Sequence, residues 1–334
     1  MFNKLKKNID FDPIKQEKKI LLIFTLGLLL YAAMVLFGDA KKIIKISFSF
    51  NWSVVIILLL FSFLNYVIRF IRWHYFLTQL SIKISVNKSF RIFLSGLSMT
   101  VTPGKMGEIV KAYLIKKETG NSFAQMVPLL ITERLTDGIG MLILALGGIY
   151  YFKQSILFFL FSFAIIIIFF LFVYYKKYTL KFIKKFENRF GHIKILDFFI
   201  TFFEHSEKLL RFKQISAGIL LSIIAWSLEG ISLFLLIVNF GNFWDWKSLF
   251  YSLFIFSFSS IAGFLALIPG GIGVAEGSIT SLLKLFFQIE LSQAIFITLI
   301  FRFVTLWFGV FIGLINLFIS LANLRFNRLK NEKI

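Results

Sequence analysis

Apolar runs long enough to cross a bilayer alternate with short, lysine-rich joints along almost the whole chain. ILLIFTLGLLLYAAMVLFG predicts a first spanning helix over about residues 20–38, and the run beginning at Trp52 predicts a second over about 52–77. Further spans are expected at 125–151 and 155–175, divided only by the polar joint Lys153–Gln154, then at 215–239 and 292–322. Each reaches or exceeds the ~20 residues that cross a hydrocarbon core. Two pieces fit less well. FRIFLSGLSMTV, Phe90 to Val101, is short and runs into Pro103, and the stretch 248–268 runs into ALIPGGIGVAEG.

Charge decides how these two pieces are threaded. The first nineteen residues carry six lysines, the stretch from Lys176 to Lys213 carries ten Lys or Arg, and the tail RFNRLKNEKI is basic. Basic joints stay on the cytoplasmic side of a membrane. If 248–288 is a hairpin that enters and leaves on the outer side, all three basic segments fall on one side. Segment 88–118 is then the matching hairpin from the inner side. The expected fold is therefore an all-α polytopic membrane protein with about six full spans and two oppositely inserted re-entrant hairpins. Its parts are a basic N-terminus (1–19), a first membrane half (20–175), a basic amphipathic linker (176–214), a second half (215–322) and a basic tail (323–334). Both termini are expected on the cytoplasmic side of the inner membrane. DAKKIIKISFSFN is expected as an outer connection, and Arg69 and Arg72 as snorkelling anchors at the inner end of the second span.

Composition narrows the function classes. The hydrophobic fraction is 58%, with 46 phenylalanines in 334 residues, more apolar surface than a soluble domain can hide. The net charge of +20 lies between apolar runs, which points to anionic lipid headgroups and not to nucleic acid. There is no cysteine, which excludes disulfides, thiolate metal sites and thiol nucleophiles. His74, His192 and His205 show no ligand spacing, so neither a metal nor a cofactor is expected. Gly271 to Gly277 is not a dinucleotide fingerprint, and Gly104–Lys105 is not a nucleotide phosphate loop. The first apolar run lacks a small-residue cleavage pattern and other spans follow it, so it reads as a retained helix.

The two interruptions resemble each other. VTPGKMGEIVK holds Pro103, Gly104, Gly107 and Glu108; LIPGGIGVAEG holds Pro269, Gly270, Gly271, Gly273 and Glu276. Twenty-six residues beyond each glutamate an arginine stands inside an apolar helix, Arg134 after Glu108 and Arg302 after Glu276. The recurrence suggests an internal duplication, and the opposite insertion of the hairpins makes it an inverted repeat, an architecture of many secondary transporters. Proline ends one half-helix and glycine lets the chain turn. The amides opening the next half-helix are suited to an anion.

TPGKMGEIVK, the charged helix around Glu133, Arg134 and Asp137, and PGGIGVAEG with its arginine-bearing last helix together resemble the lysylphosphatidylglycerol synthase transmembrane region. This is the flippase-like domain of the multiple peptide resistance factor and of stand-alone membrane proteins. The resemblance covers about residues 15–322 and implies movement of aminoacylated or otherwise modified phospholipids between leaflets. Two-part members also carry a soluble transferase domain; the chain ends at Ile334 without one, so no enzymatic activity is expected from it. The expected partners are a membrane phospholipid and a separately encoded lipid-modifying transferase, with an oligomer allowed. A membrane subunit that presents lipid to such a transferase, or an ion or small-solute transporter, would share the same design.

Charges inside spans cost about 2.5–3.5 kcal/mol each and need compensation. Arg134 and Asp137 stand i, i+3 and can pair. Arg134 and Arg302 are the candidates to meet a phosphate, with Lys105 and Lys111 either inner-surface lysines or further phosphate contacts. Glu108 and Glu276 either latch Arg134 and Arg302 or meet cargo or a coupling proton. Glu229 is a lone intramembrane acid and a candidate partner for Arg302.

Overall fold

The computed structural model describes residues 17–102, 107–121, 123–149, 156–190, 200, 202, 206–266 and 268–331. Its elements are helices throughout. They are Glu17–Phe37 (α1), Ala40–Ser49 (α2), Ser53–Gln79 (α3), Val86–Leu97 (α4), Gly107–Thr119 (α5), Phe123–Ile149 (α6) and Ile156–Tyr174 (α7). Lys176–Phe190 (α8), Phe212–Val238 (α9), Trp246–Leu265 (α10), Val274–Phe287 (α11), Leu291–Arg302 (α12) and Phe308–Asn331 (α13) follow. A π turn, Phe303–Trp307, joins α12 to α13.

Two sets of contacts mark the ends of the bundle. At one end the Gln214 side chain donates to Gln79 Oε1 at 3.0 Å, and Lys88 pairs with Glu118 at 2.6 Å. At the other, Phe50 packs on Phe240 and Phe296 with ring centres 6.0 and 5.3 Å apart, and Lys42 pairs with Glu290 at 3.3 Å. The α4–α5 hairpin therefore opens at the first end. The α10–α11 hairpin opens at the second, where Phe243 meets Phe287 at 5.1 Å. Their tips meet between the two ends, where Gly270 lies so close to Val101 that an added Cβ would stand 3.2 Å from its Cα. The hairpins thus enter from opposite ends, as the charge pattern requires.

Local chemistry accounts for both breaks. Beyond α4 the hydroxyls of Ser98, Thr100 and Thr102 donate to the carbonyls of Ser95, Leu97 and Met99 at 2.7, 2.8 and 2.6 Å, beside the backbone amides of the same residues, so tight i to i−3 turns carry the chain out of the helix. Beyond α10 the chain turns through Gly270, Gly271 and Gly273, with φ of 61°, 67° and 92°, a region that side chains with a Cβ rarely adopt. Gly107, at the start of α5, abuts the backbone of Gly96 in α4, so the first hairpin closes backbone to backbone.

Around this pair the longer helices form two apolar cores. One joins α9, α10, α11 and α12 through Leu233, Phe254, Leu283 and Phe301; the other joins α3, α4, α5 and α6 through Trp73, Phe93, Ile115 and Leu129. Among the described residues, four stretches are long and apolar enough to cross a membrane, α3, α9, α10 and Leu291–Ile319, and there is a fifth if Phe159–Tyr174 and Lys176–Ile183 form one bent span. The expected count of six spans is thus not matched by length and apolarity alone. The added member, α10, is an arm of the second hairpin. Helix α6, with 27 residues, is absent from that group and carries Glu133, Arg134 and Asp137.

Two of the joints are helical. The expected outer connection is the amphipathic α2, whose N-terminus Asp39 caps by accepting from the Lys41 and Lys42 amides at 3.1 and 3.4 Å. In the linker, α8 leaves the preceding helix at 92°. Thr179, Leu180 and Ile183 face inward, while Tyr178 and Phe182 lie exposed beside Lys177, Lys181 and Lys185. Lys83, Lys88, Lys116, Lys117 and Lys208 share that end, so it is the basic end of the bundle.

The absence of cysteine allows a direct check of the two ends. Single cysteines at Ser81→Cys and Asn242→Cys, both exposed, should react with a membrane-impermeant thiol reagent from opposite faces of oriented vesicles. Reaction from one face would contradict the arrangement. Separately, Gly313 packs against the Ser98 backbone, so Gly313→Val should cost roughly 1–3 kcal/mol by overpacking and lower the melting temperature.

Candidate functional site

The interior holds a network of charges built from four helices. Arg72 of α3 is fully buried, and its Nη1 donates to Asp137 Oδ1 at 2.6 Å and to Thr136 Oγ1 at 3.3 Å, both on α6. It also bonds Ser222 of α9, and its Nη2 stands 3.9 Å from Glu133 Oε1. Glu133 in turn accepts from Lys111 Nζ of α5 at 2.8 Å. The Lys111 ammonium lies 4.2 Å over the Trp73 ring. Its stem crosses Gly96, where a Cβ would collide with it at 2.6 Å. Glycine in α4 therefore opens the passage that lets a lysine of α5 reach inward.

Asp137 is the hub. Beyond Arg72 it accepts from Trp226 Nε1 at 2.8 Å and from Ser222 Oγ at 3.2 Å, and Arg134 Nη1 stands 3.3 Å from its second oxygen. The i, i+3 pairing of Arg134 with Asp137 is thus observed. The surroundings provide what a buried carboxylate needs, opposite charge and several donors.

A second network closes the other hairpin. Glu276, without exposed surface, accepts from Arg302 Nε at 2.6 Å, from the Tyr31 hydroxyl at 3.3 Å and from the Gly273 amide at 2.7 Å. Arg302 Nη2 also donates to the Gly270 carbonyl at 2.9 Å, and Trp307 Nε1 donates to Tyr31 at 2.9 Å. Glu276 is therefore a latch on Arg302. By folding back on Gly273 it also occupies an amide at the start of the half-helix that sequence pattern had offered to an anion.

The sequence-predicted residues divide accordingly. Arg302 with Glu276, and Arg134 with Asp137, meet as pairs. Lys111 is a buried partner of Glu133 and not a surface lysine. Gly107, Gly270, Gly271 and Gly273 shape the hairpins. Pro103, Gly104 and Lys105 lie outside the described residues, as do the side chains of Glu108 and Pro269. Glu229 is buried and makes no ion pair with Arg302.

Arg69 and Arg72 require a correction. Neither is a snorkelling anchor, because α3 turns both into the bundle. Arg69 is half-buried, stacked 4.6 Å over Trp226, and its Nη1 reaches Asn65 Oδ1 at 3.5 Å. Position near the end of an apolar run could not distinguish the two fates. Charge counting along α6 could have helped, because two acids and one base leave one acid for a cation from another helix.

An all-α, multi-pass membrane protein in which two opposed hairpins close over buried ion pairs is the class that this geometry defines. The chain belongs to the lysylphosphatidylglycerol synthase TM region family, which it matches over residues 24–313. It is similar to a UPF0104 membrane protein of Pyrococcus horikoshii, 25% identical over 325 residues, covering 89% of this chain and 95% of the relative. A UPF0104 membrane protein of Methanocaldococcus jannaschii is 26% identical over 239 residues, 70% of this chain and 98% of that one. One from Methanothermobacter thermautotrophicus is 23% identical over 311 residues, 87% and 91% of the two chains. No solved structure matches the chain.

Removing one member of a buried pair leaves the other uncompensated, a loss of about 3–5 kcal/mol in comparable cases. Arg302→Met should therefore destabilise the purified protein strongly, while Arg302→Met combined with Glu276→Leu should recover much of the loss. Thermal unfolding of both variants in detergent checks this.

Proposed function

We propose that this protein moves a phospholipid, or a modified or lipid-linked headgroup, between the leaflets of the cytoplasmic membrane. The observation that carries the reading is the meeting of two oppositely inserted hairpins, tip to tip, over a buried ion network. Broken backbone at membrane depth is tolerated where protein covers it or water reaches it, and in secondary transporters such breaks surround the cargo. A headgroup entering as the hairpins separate would find arginines at the level of the breaks while its acyl chains stayed in lipid.

Arg134, whose side chain is a quarter exposed, is in this reading the network's contact with the phosphate. The Arg302–Glu276 latch holds the second hairpin closed until cargo or rearrangement replaces it. The basic end faces the cytoplasm, and α8 rests its lysines and aromatic rings on anionic headgroups there. The protein performs no covalent chemistry in this scheme, so a lysyltransferase label drawn from the family would not describe it. Net movement then follows an ion gradient or consumption of the product.

Reconstitution tests the reading. Vesicles carrying the purified protein and headgroup-labelled phosphatidylglycerol should exchange label between leaflets faster than vesicles with the Arg134→Ala/Arg302→Ala variant. Equal exchange in both would sink it, and stimulation of a co-reconstituted transferase without exchange would favour a lipid-presenting subunit.

A further inference from the structure

The core arginines and lysine are not equally engaged. Lys111 is paired with Glu133, Arg72 and Arg134 with Asp137, and Arg302 with Glu276. Among the described residues Arg69 alone of these has no carboxylate oxygen within 4.0 Å; its buried Nε–H, like those of Arg72 and Arg134, has no hydrogen-bond acceptor. A buried guanidinium donor without an acceptor is costly.

Yet its position is fixed. Asn65, which accepts from Arg69, itself donates to the Ala225 carbonyl at 2.7 Å. Trp226, on whose face the guanidinium rests, is tied to Asp137 through its indole N–H. The cation is thus held in place by neutral groups, and its charge is left for something else.

One turn along α9 from Trp226 stands Glu229, which is 6% exposed and has neither hydrogen bond nor ion pair among the described residues. Arg69 rests on the Trp226 ring of the same helix, and its partner Asn65 is bonded to the Ala225 carbonyl beside it. Opposite charges in a low-dielectric interior attract strongly, yet no basic nitrogen lies within 4.0 Å of this carboxylate. Here are an unbonded donor and an unbonded acceptor on adjoining helices, set about one turn apart beside Trp226 and not paired with each other.

We infer that Arg69 and Glu229 form the headgroup subsite for a phosphodiester that carries a hydrogen-bond donor beside its phosphate. The phosphodiester oxygens accept from the Arg69 guanidinium, and the neighbouring donor, a hydroxyl in the simplest case, is accepted by Glu229. A carboxylate so near disfavours a bare phosphate dianion, which brings two negative charges and no carbon-borne donor. The inference rests on the transport reading for its cargo class. It differs in placing the phosphate on Arg69 and not on Arg134, which is paired with Asp137.

Binding can be measured without transport. Isothermal titration of the detergent-purified protein uses dihexanoylphosphatidylglycerol in one arm and inorganic phosphate in the other. The expected result is saturable binding of the lipid and at least about tenfold weaker binding of inorganic phosphate. Arg69→Gln should weaken the lipid at least about tenfold, in line with loss of charge-assisted hydrogen bonds. Arg69→Lys keeps the charge without the fork and should fall between, which keeps the test open if Arg69→Gln does not fold. Glu229→Gln should narrow the gap between the two ligands. Unchanged lipid binding in both Arg69 variants, or no lipid binding by the wild type, would overturn the subsite. Inorganic phosphate bound as tightly as lipid by the wild type would overturn the role given to Glu229. Arg69-dependent binding without leaflet exchange would sink the transport reading and leave the subsite standing. Leaflet exchange with Arg69-independent binding would do the reverse.

Discussion

Arg72 has no exposed surface, and a guanidinium so placed has to be surrounded by acceptors. Asp137 and Glu133 supply them from α6, Ser222 from α9, and Lys111 enters from α5 to share Glu133. The helices that frame the first hairpin are thereby drawn together around one cation. Apolar packing alone would leave them free to slide, because lipid tails are as apolar as Leu and Phe. Hydrogen bonds of stated length and direction set the register in which the apolar faces then pack.

The breaks follow the same rule of satisfaction. Hydroxyls close the first and left-handed glycines with Glu276 close the second, so each break uses the groups its own sequence offers. The halves therefore resemble each other in topology more than in detail. Where the second half has a direct Glu276–Arg302 pair at a separation of 26 residues, the first shows Lys111 bound to Glu133, at a separation of 22.

Much of this was legible in the chain. Apolar run lengths and basic joints located the helices and the opposed hairpins, because bilayer thickness and charge sidedness act on short, contiguous stretches. The Pro-Gly breaks were visible for a similar reason. The partners of the charged residues were harder to read. Arg72 and Trp226 converge on Asp137 from positions 65 and 89 residues away, and Tyr31 reaches Glu276 across 245. No local pattern encodes such distances, and the flank of an apolar run gives the same signal whether an arginine faces headgroups or the bundle.

Helix α1 precedes the span, hairpin and span that recur in the two halves (α3 to α6 and α9 to α13), yet Tyr31 enters the Glu276 network and Gly27 lies against Trp307 and Ile272. Among the described residues, only the second hairpin has such a brace. Two states exchanged by inversion would be equal in energy if their halves were equal. In the proposed transport cycle, bracing one half would lift that degeneracy and give the protein a preferred resting orientation. Direction of access would then be biased by a helix that belongs to neither repeat.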